Sequence, residues 1–253
     1  GSNLNFARLV YDKMPMFYGQ IEEKGYLKDF DIAFIAIGDA YVDDYPLQVT
    51  DFAKGLEIDS WLEKLVLEGG GGYGLAESYE LAAQYLIKNA EFNKDAVPIL
   101  FFIGDEHPYD KVSKEQCDTF DIDCEKDYNP FPTLNKKFNN NVFMLLNKYH
   151  SREFREEITK EWIERMPAQH VTKIKEEKSI VDLMLGILAL QSGKSLKAYE
   201  TDMLDRGQTK ARLEHVRASL LPYSTSTELS VKRDVEIGVP KDLNAPKTLG
   251  KRL

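Results

Sequence analysis

Two kinds of hydrophobic pattern take turns along this chain. From Leu4 to Lys24, apolar residues at Leu4, Phe6, Leu9, Val10, Met14, Phe17, Tyr18 and Ile21 recur at helical spacing, which predicts one helix kinked at Pro15. Asp31 to Ile37 reads Asp-Ile-Ala-Phe-Ile-Ala-Ile, a nearly unbroken apolar run. Such a run fits a strand whose sheet is covered on both faces. Val97–Ile103 and Asn141–Asn147 repeat it, and His170–Ile174 fits a short last strand. Helices are predicted over Ile58–Leu67, Glu77–Asn89, Arg152–Met166 and Ser179–Ser192. The stretch Tyr109–Phe138 is polar and acidic, with Pro130 and Pro132, and reads as a long loop or a partly helical insertion. No internal repeat is visible.

Strands alternating with helices predict an α/β fold: a doubly wound, mainly parallel sheet with helices on both faces. We assign residues 1–190 to this α/β domain. Residues 191–223 form a C-terminal helical extension, and 224–253 a polar tail that wraps over the domain or is disordered.

Composition narrows the function classes. A chain of 253 residues that is 43% hydrophobic can bury a substantial core. Its net charge of −9 disfavours phosphate backbones, so nucleic acid is not an expected partner. No apolar run reaches the roughly 18 residues that a membrane span needs. The longest, Ile180–Leu190, is interrupted by Asp182 and reads as a buried helix. No secretory leader is recognisable. Cys117 and Cys124 are too few for a disulfide framework or a four-cysteine zinc site, which points to free thiols in a reducing cytoplasm. Gly1-Ser2 reads as a tag remnant or as the cut edge of a longer protein.

The candidate chemistry gathers where strands end. In sheets of this kind ligands bind beyond the carboxyl ends of the strands. Gly38-Asp39 and Gly104-Asp105 stand there, the second followed by Glu106 and His107. The run Gly69-Gly70-Gly71-Gly72-Tyr73-Gly74 then leads into Glu77-Ser78-Tyr79-Glu80. A glycine run lets the backbone approach another group closely, ahead of the unsatisfied N–H groups of a helix start. It is neither a P-loop nor a dinucleotide fingerprint. Two strand-terminal acids with a glycine loop predict a hard-cation site of the magnesium type. Asp105 is a ligand, direct or through water, or it caps the following turn. His107 is a ligand, a general base, or a turn residue before Pro108. Glu77 is a ligand or a helix N-terminal acid. The alternating acids Asp118, Asp121, Asp123, Glu125 and Asp127 resemble a calcium loop, but Lys126 occupies the turn-glycine position, so they read as a solvated loop. No Ser/His/Asp order, HExxH or GxSxG signature appears.

The order of these segments is familiar. A helix precedes DIAFIAIGDA, then QVTDFAKGLEIDSWLEKLVLEGGGGYGLAESYELAAQYL, then VPILFFIGDEHPYD. Over about residues 1–190 this resembles von Willebrand factor A-type (vWA) domains, especially bacterial ones. The resemblance implies a doubly wound, Rossmann-like sheet with a metal-ion-dependent adhesion site. That site takes a DxSxS motif on a first strand, an oxygen ligand in a second loop and an Asp at the end of a later strand. Asp105 matches the last element and the Gly69–Gly74 loop the second, with Tyr73 where a Thr is expected and Glu77 or Ser78 as substitutes. The first strand and its Asp are absent, which leaves Ser2 as the motif's last ligand, with Asp39 nearby.

The implied function is a magnesium-dependent (or manganese- or calcium-dependent) protein-binding module whose partner supplies a carboxylate to the metal. Bacterial relatives act beside MoxR-type AAA+ ATPases as adaptors or assembly factors. The alternative is a metal-assisted hydrolase using Asp39, Asp105 and His107.

Overall fold

The computed structural model describes residues 4–68, 76–148 and 152–236, with backbone alone at 152–153 and 228–236. Helix α1 (Leu4–Lys24) is the expected first helix and buries Phe6, Met14, Phe17 and Ile21. Strand β1 (Ile35–Ile37) is shorter than the apolar run that predicts it. It pairs antiparallel with β2 (Leu47–Val49), which lies in a stretch read from sequence as loop. A three-residue Leu-Gln-Val segment is too short to show a strand period. Helix α2 (Glu57–Leu62) stops five residues before the expected end.

Strand β3 (Ala76–Glu77) precedes α3 (Tyr79–Asn89), so Glu77 belongs to a strand and is not a helix N-terminal acid. Strand β4 (Leu100–Gly104) leads to β5 (His107–Pro108), which pairs parallel with β3. The acidic stretch that follows contains α4 (Lys114–Thr119) and α5 (Phe131–Lys137). Next come β6 (Val142–Leu146), α6 (Arg152–Arg165) and β7 (Val171–Lys173). Helices α7 (Ile180–Gln191), α8 (Leu196–Asp205) and α9 (Lys210–Glu236) complete the described chain. Residues 225–236, polar in sequence, thus continue α9.

The fold is mixed α/β, with small parallel sheets flanked by helices. Among the described residues there are three sheets: the antiparallel β1-β2, the parallel β3-β5, and a parallel sheet in the order β4-β6-β7. Strand β6 is central and buried throughout. Its side chains alternate between two cores, as a strand's two faces must. Phe143 and Leu145 join the layer formed by α1, α2, α7, α8 and α9. Val142, Met144 and Leu146 join the layer of α3, α5 and α6, where Trp162 and Phe131 are fully buried. Residues of α8 and α9 therefore share one core with the sheet.

The most buried helix, α7, carries one charge. Asp182 is 2% exposed, and Arg206 Nη2 donates to its Oδ1 at 2.8 Å. Arg212 Nη1 lies 3.8 Å from Oδ2, and the Tyr199 hydroxyl donates to the Asp182 carbonyl. Burial pushes the Asp182 carboxyl up, against the pull of Arg206. Beside it, Gly186 leaves no room for a Cβ, because Leu220 and Tyr199 fill that space. Removing one partner of a buried pair leaves an uncompensated charge. We expect Arg206→Ala to lower stability by about 3–5 kcal/mol in urea unfolding, and Asp182→Leu/Arg206→Met to recover most of it.

Candidate functional site

The ends of β1 and β4 and the start of α3 meet through two adjacent residues, Ser78 and Tyr79. The Ser78 amide donates to the Gly38 carbonyl at 3.1 Å. Its hydroxyl accepts from the Ala40 amide at 3.0 Å and from Gln116 Nε2 at 3.2 Å. Ser78 stands at the helix start without capping it, because its oxygen is turned to these partners. On the β4 side, Tyr79 packs edge-on against Phe102 and Trp162. Its hydroxyl takes the space a side chain at Gly104 would need, so only glycine fits there. The chain reaches Asp105 immediately beyond.

Asp39 and Asp105 are both buried, at 5% and 2% exposure. Asp39 Oδ1 accepts from the Tyr41 amide at 3.0 Å and the Tyr109 hydroxyl at 3.1 Å. The Asp39 amide donates to Asp43 Oδ2 at 2.7 Å. Parallel pairing of β3 with β5 sets Ala76 opposite His107 and Glu77 opposite Pro108. Burial pushes the Glu77 carboxyl up to about 8, and four carboxylates, Asp43, Glu106, Asp39 and Asp105, add to the shift. Glu106 is raised to about 7 by burial and then by Asp105. Glu80, fully buried on α3, is raised to about 7 by burial, while Gln116 Nε2 donates to its Oε1 at 3.2 Å. The Oε2 atoms of Glu77, Glu80 and Glu106 are buried without a hydrogen-bond partner. His107 Nδ1 lies 2.9 Å from Glu161 Oε2, and Trp162 Nε1 donates to the Glu106 carbonyl.

The fold therefore brings Asp39, Glu77, Asp105 and Glu106 into one electrostatic neighbourhood, with Ser78 as its hinge. It commits one nitrogen of His107 to Glu161. Ser2, Gly69, Gly70, Gly71, Gly72 and Tyr73 lie outside the described residues. Asp43, Glu80, Tyr109, Gln116 and Glu161 were not singled out from sequence. Glu80 had a legible signal, a charge three residues after Glu77 on a helix whose next turn reads Leu-Ala-Ala.

Among the described residues, no three His, Cys, Asp or Glu side chains are placed so that they could hold one metal ion. Magnesium asks for less, since one or two carboxylates and several waters suffice. The buried, partnerless Oε2 atoms of Glu77 and Glu106 are hard oxygen ligands of the kind magnesium takes, so the donor chemistry fits such a cation. Among the described residues no helix is long and apolar enough to cross a membrane. Comparison with protein-family models, with curated proteins and with solved structures found no match in any of the three.

The raised carboxyls make stability depend on pH with a definite sign. Glu77, Glu80 and Glu106 hold protons more tightly folded than at their ordinary value of 4.5. The folded state then binds more protons, so stability falls as pH rises through about 7–8. Glu77 and Glu80 dominate, because solvent screens the more exposed Glu106. We expect a loss of about 1–3 kcal/mol between pH 6 and pH 8.5 in metal-free urea titrations, and a flatter profile for Glu77→Gln.

Proposed function

We propose that this chain is a magnesium-dependent protein-binding module of the von Willebrand factor A type, built on a doubly wound sheet. The observation that carries this reading is the gathering of Asp39, Glu77, Asp105 and Glu106 at strand ends, where the largest charges acting on Glu77 are all carboxylates. Clustered acids with partnerless oxygens repel one another until protons or a cation neutralise them. One or two of Asp105, Asp39 and Glu77 would hold the metal together with waters, and the resemblance adds Ser2 and the Gly69–Tyr73 loop. Ser78 would set the site's geometry, since its oxygen already accepts two hydrogen bonds. Bound metal would supply a Lewis-acidic position for a partner's carboxylate. The partner class that the resemblance suggests is a MoxR-type AAA+ ATPase, beside which the chain would act as an adaptor or assembly factor. Two buried free thiols fit a reducing cytoplasm.

One observation favours the hydrolase reading: the His107–Glu161 pair at 2.9 Å, an arrangement that orients an imidazole for proton transfer. Against it, no nucleophile is placed beside the ring by the described contacts.

Calorimetric titration with magnesium and manganese separates these readings. Saturable binding that weakens about tenfold or more in Asp105→Asn, with an unchanged circular dichroism spectrum, supports the metal module. No saturable binding by the wild-type chain overturns it. Metal-dependent ester or phosphoester hydrolysis lost in His107→Ala would establish the enzyme instead.

A further inference from the structure

Beyond the carboxyl ends of β4, β6 and β7 lies a pocket of about 280 Å³. Its position follows from topology, since the open end of a parallel sheet is where α/β proteins form crevices. Its charge does not follow from composition. The chain carries −9 overall, yet Lys148, Arg155, Lys173 and Lys175 line this pocket against two acids, Asp105 and Glu156. At the end of β7, buried Thr172 and Ile174 alternate with exposed Lys173 and Lys175, and both lysines line the pocket. Lys148 follows β6 by two residues. Arg155 stands in the first turn of α6, where the helix already presents its positive end and acids are the favoured residues. Positive charge thus comes from three separate elements.

Asn147 supplies an independent observation. It is 6% exposed and lines the same pocket. Its amide donates to the Gly104 carbonyl at 2.7 Å, and its Nδ2 reaches Glu177 Oε1 at 3.4 Å. Its Oδ1 is buried without a partner. Leaving a buried acceptor unmade is costly, and a ligand hydroxyl would satisfy it. An anion lacking a donor would answer the lysines and leave Asn147 unpaired. An apolar ligand would answer neither. The volume is at the small end of ligand pockets, too small for a dinucleotide.

We propose that this pocket binds a small hydroxyl-bearing phosphate ester, its phosphate among Lys148, Arg155, Lys173 and Lys175 and a hydroxyl donating to Asn147 Oδ1. A phosphate near −2 at neutral pH matches several convergent cations better than a single carboxylate does. The site borders the metal reading at Asp105, which lines both, but it requires no metal.

The test titrates the full chain with glycerol 2-phosphate in EDTA, followed by calorimetry and by ³¹P line broadening. Saturable binding is expected, weakened about tenfold or more in Lys173→Glu/Lys175→Glu. Lys94→Glu/Lys136→Glu changes two exposed lysines that precede β4 and β6 at the opposite end of the sheet, and should leave the affinity unchanged. Sulfate, which lacks a hydroxyl donor, should bind several-fold more weakly than the ester. Absence of saturable binding up to about 10 mM, or equal weakening in both double variants, overturns the proposal. Equal affinity for sulfate overturns the assignment of Asn147. Because metal is chelated throughout, failure here is distinguishable from failure of the metal site.

Discussion

Everything at this site depends on Ser78 joining two parts of the fold that do not pair as strands. Its amide and hydroxyl hold the end of the β1 hairpin against the start of α3. Tyr79, the next residue, fills the space above Gly104 and packs on Phe102 and Trp162. Two adjacent residues thus bring the end of β1 to the end of β4. The acids following those strands, Asp39 and Asp105, become neighbours of Glu77 for that reason.

The cost of this juxtaposition is electrostatic. Carboxylates in a buried neighbourhood raise each other's proton affinity, and Glu77 feels four of them. Hydrogen bonds relieve part of this: Tyr41 and Tyr109 serve Asp39, and Gln116 serves Glu80. The Oε2 atoms of Glu77 and Glu106 are left without such relief. Local conflicts of this kind concentrate where they are used, which makes the cluster a candidate site. The opposite sign of charge a short distance along the same sheet edge, at Lys148, Lys173 and Lys175, divides that edge into an acidic and a basic region.

Sequence made the α/β class and the longer elements legible, because their periods are strong. The 21-residue α1 and the wholly apolar β6 are examples. The β1-β2 hairpin was hidden, since three-residue strands carry no readable alternation and their pairing is a tertiary outcome. Glu77 was misassigned to a helix because a two-residue strand directly precedes α3. Of the site, Asp39, Asp105 and Glu106 could be found by asking which acids end apolar strands. Asp43 and Glu161 could not, as their roles arise from a loop closing on Asp39 and a helix arriving from 54 residues away.

The most direct test of the proposed metal site is a crystal grown with manganese and measured at the manganese absorption edge. An anomalous peak at coordination distance, about 2.1–2.2 Å, from a carboxylate oxygen of Asp105, Asp39 or Glu77 is the predicted result. A map without a peak there, at manganese concentrations that saturate magnesium-type sites, would contradict the assignment and leave the acidic cluster a proton-binding feature of the fold.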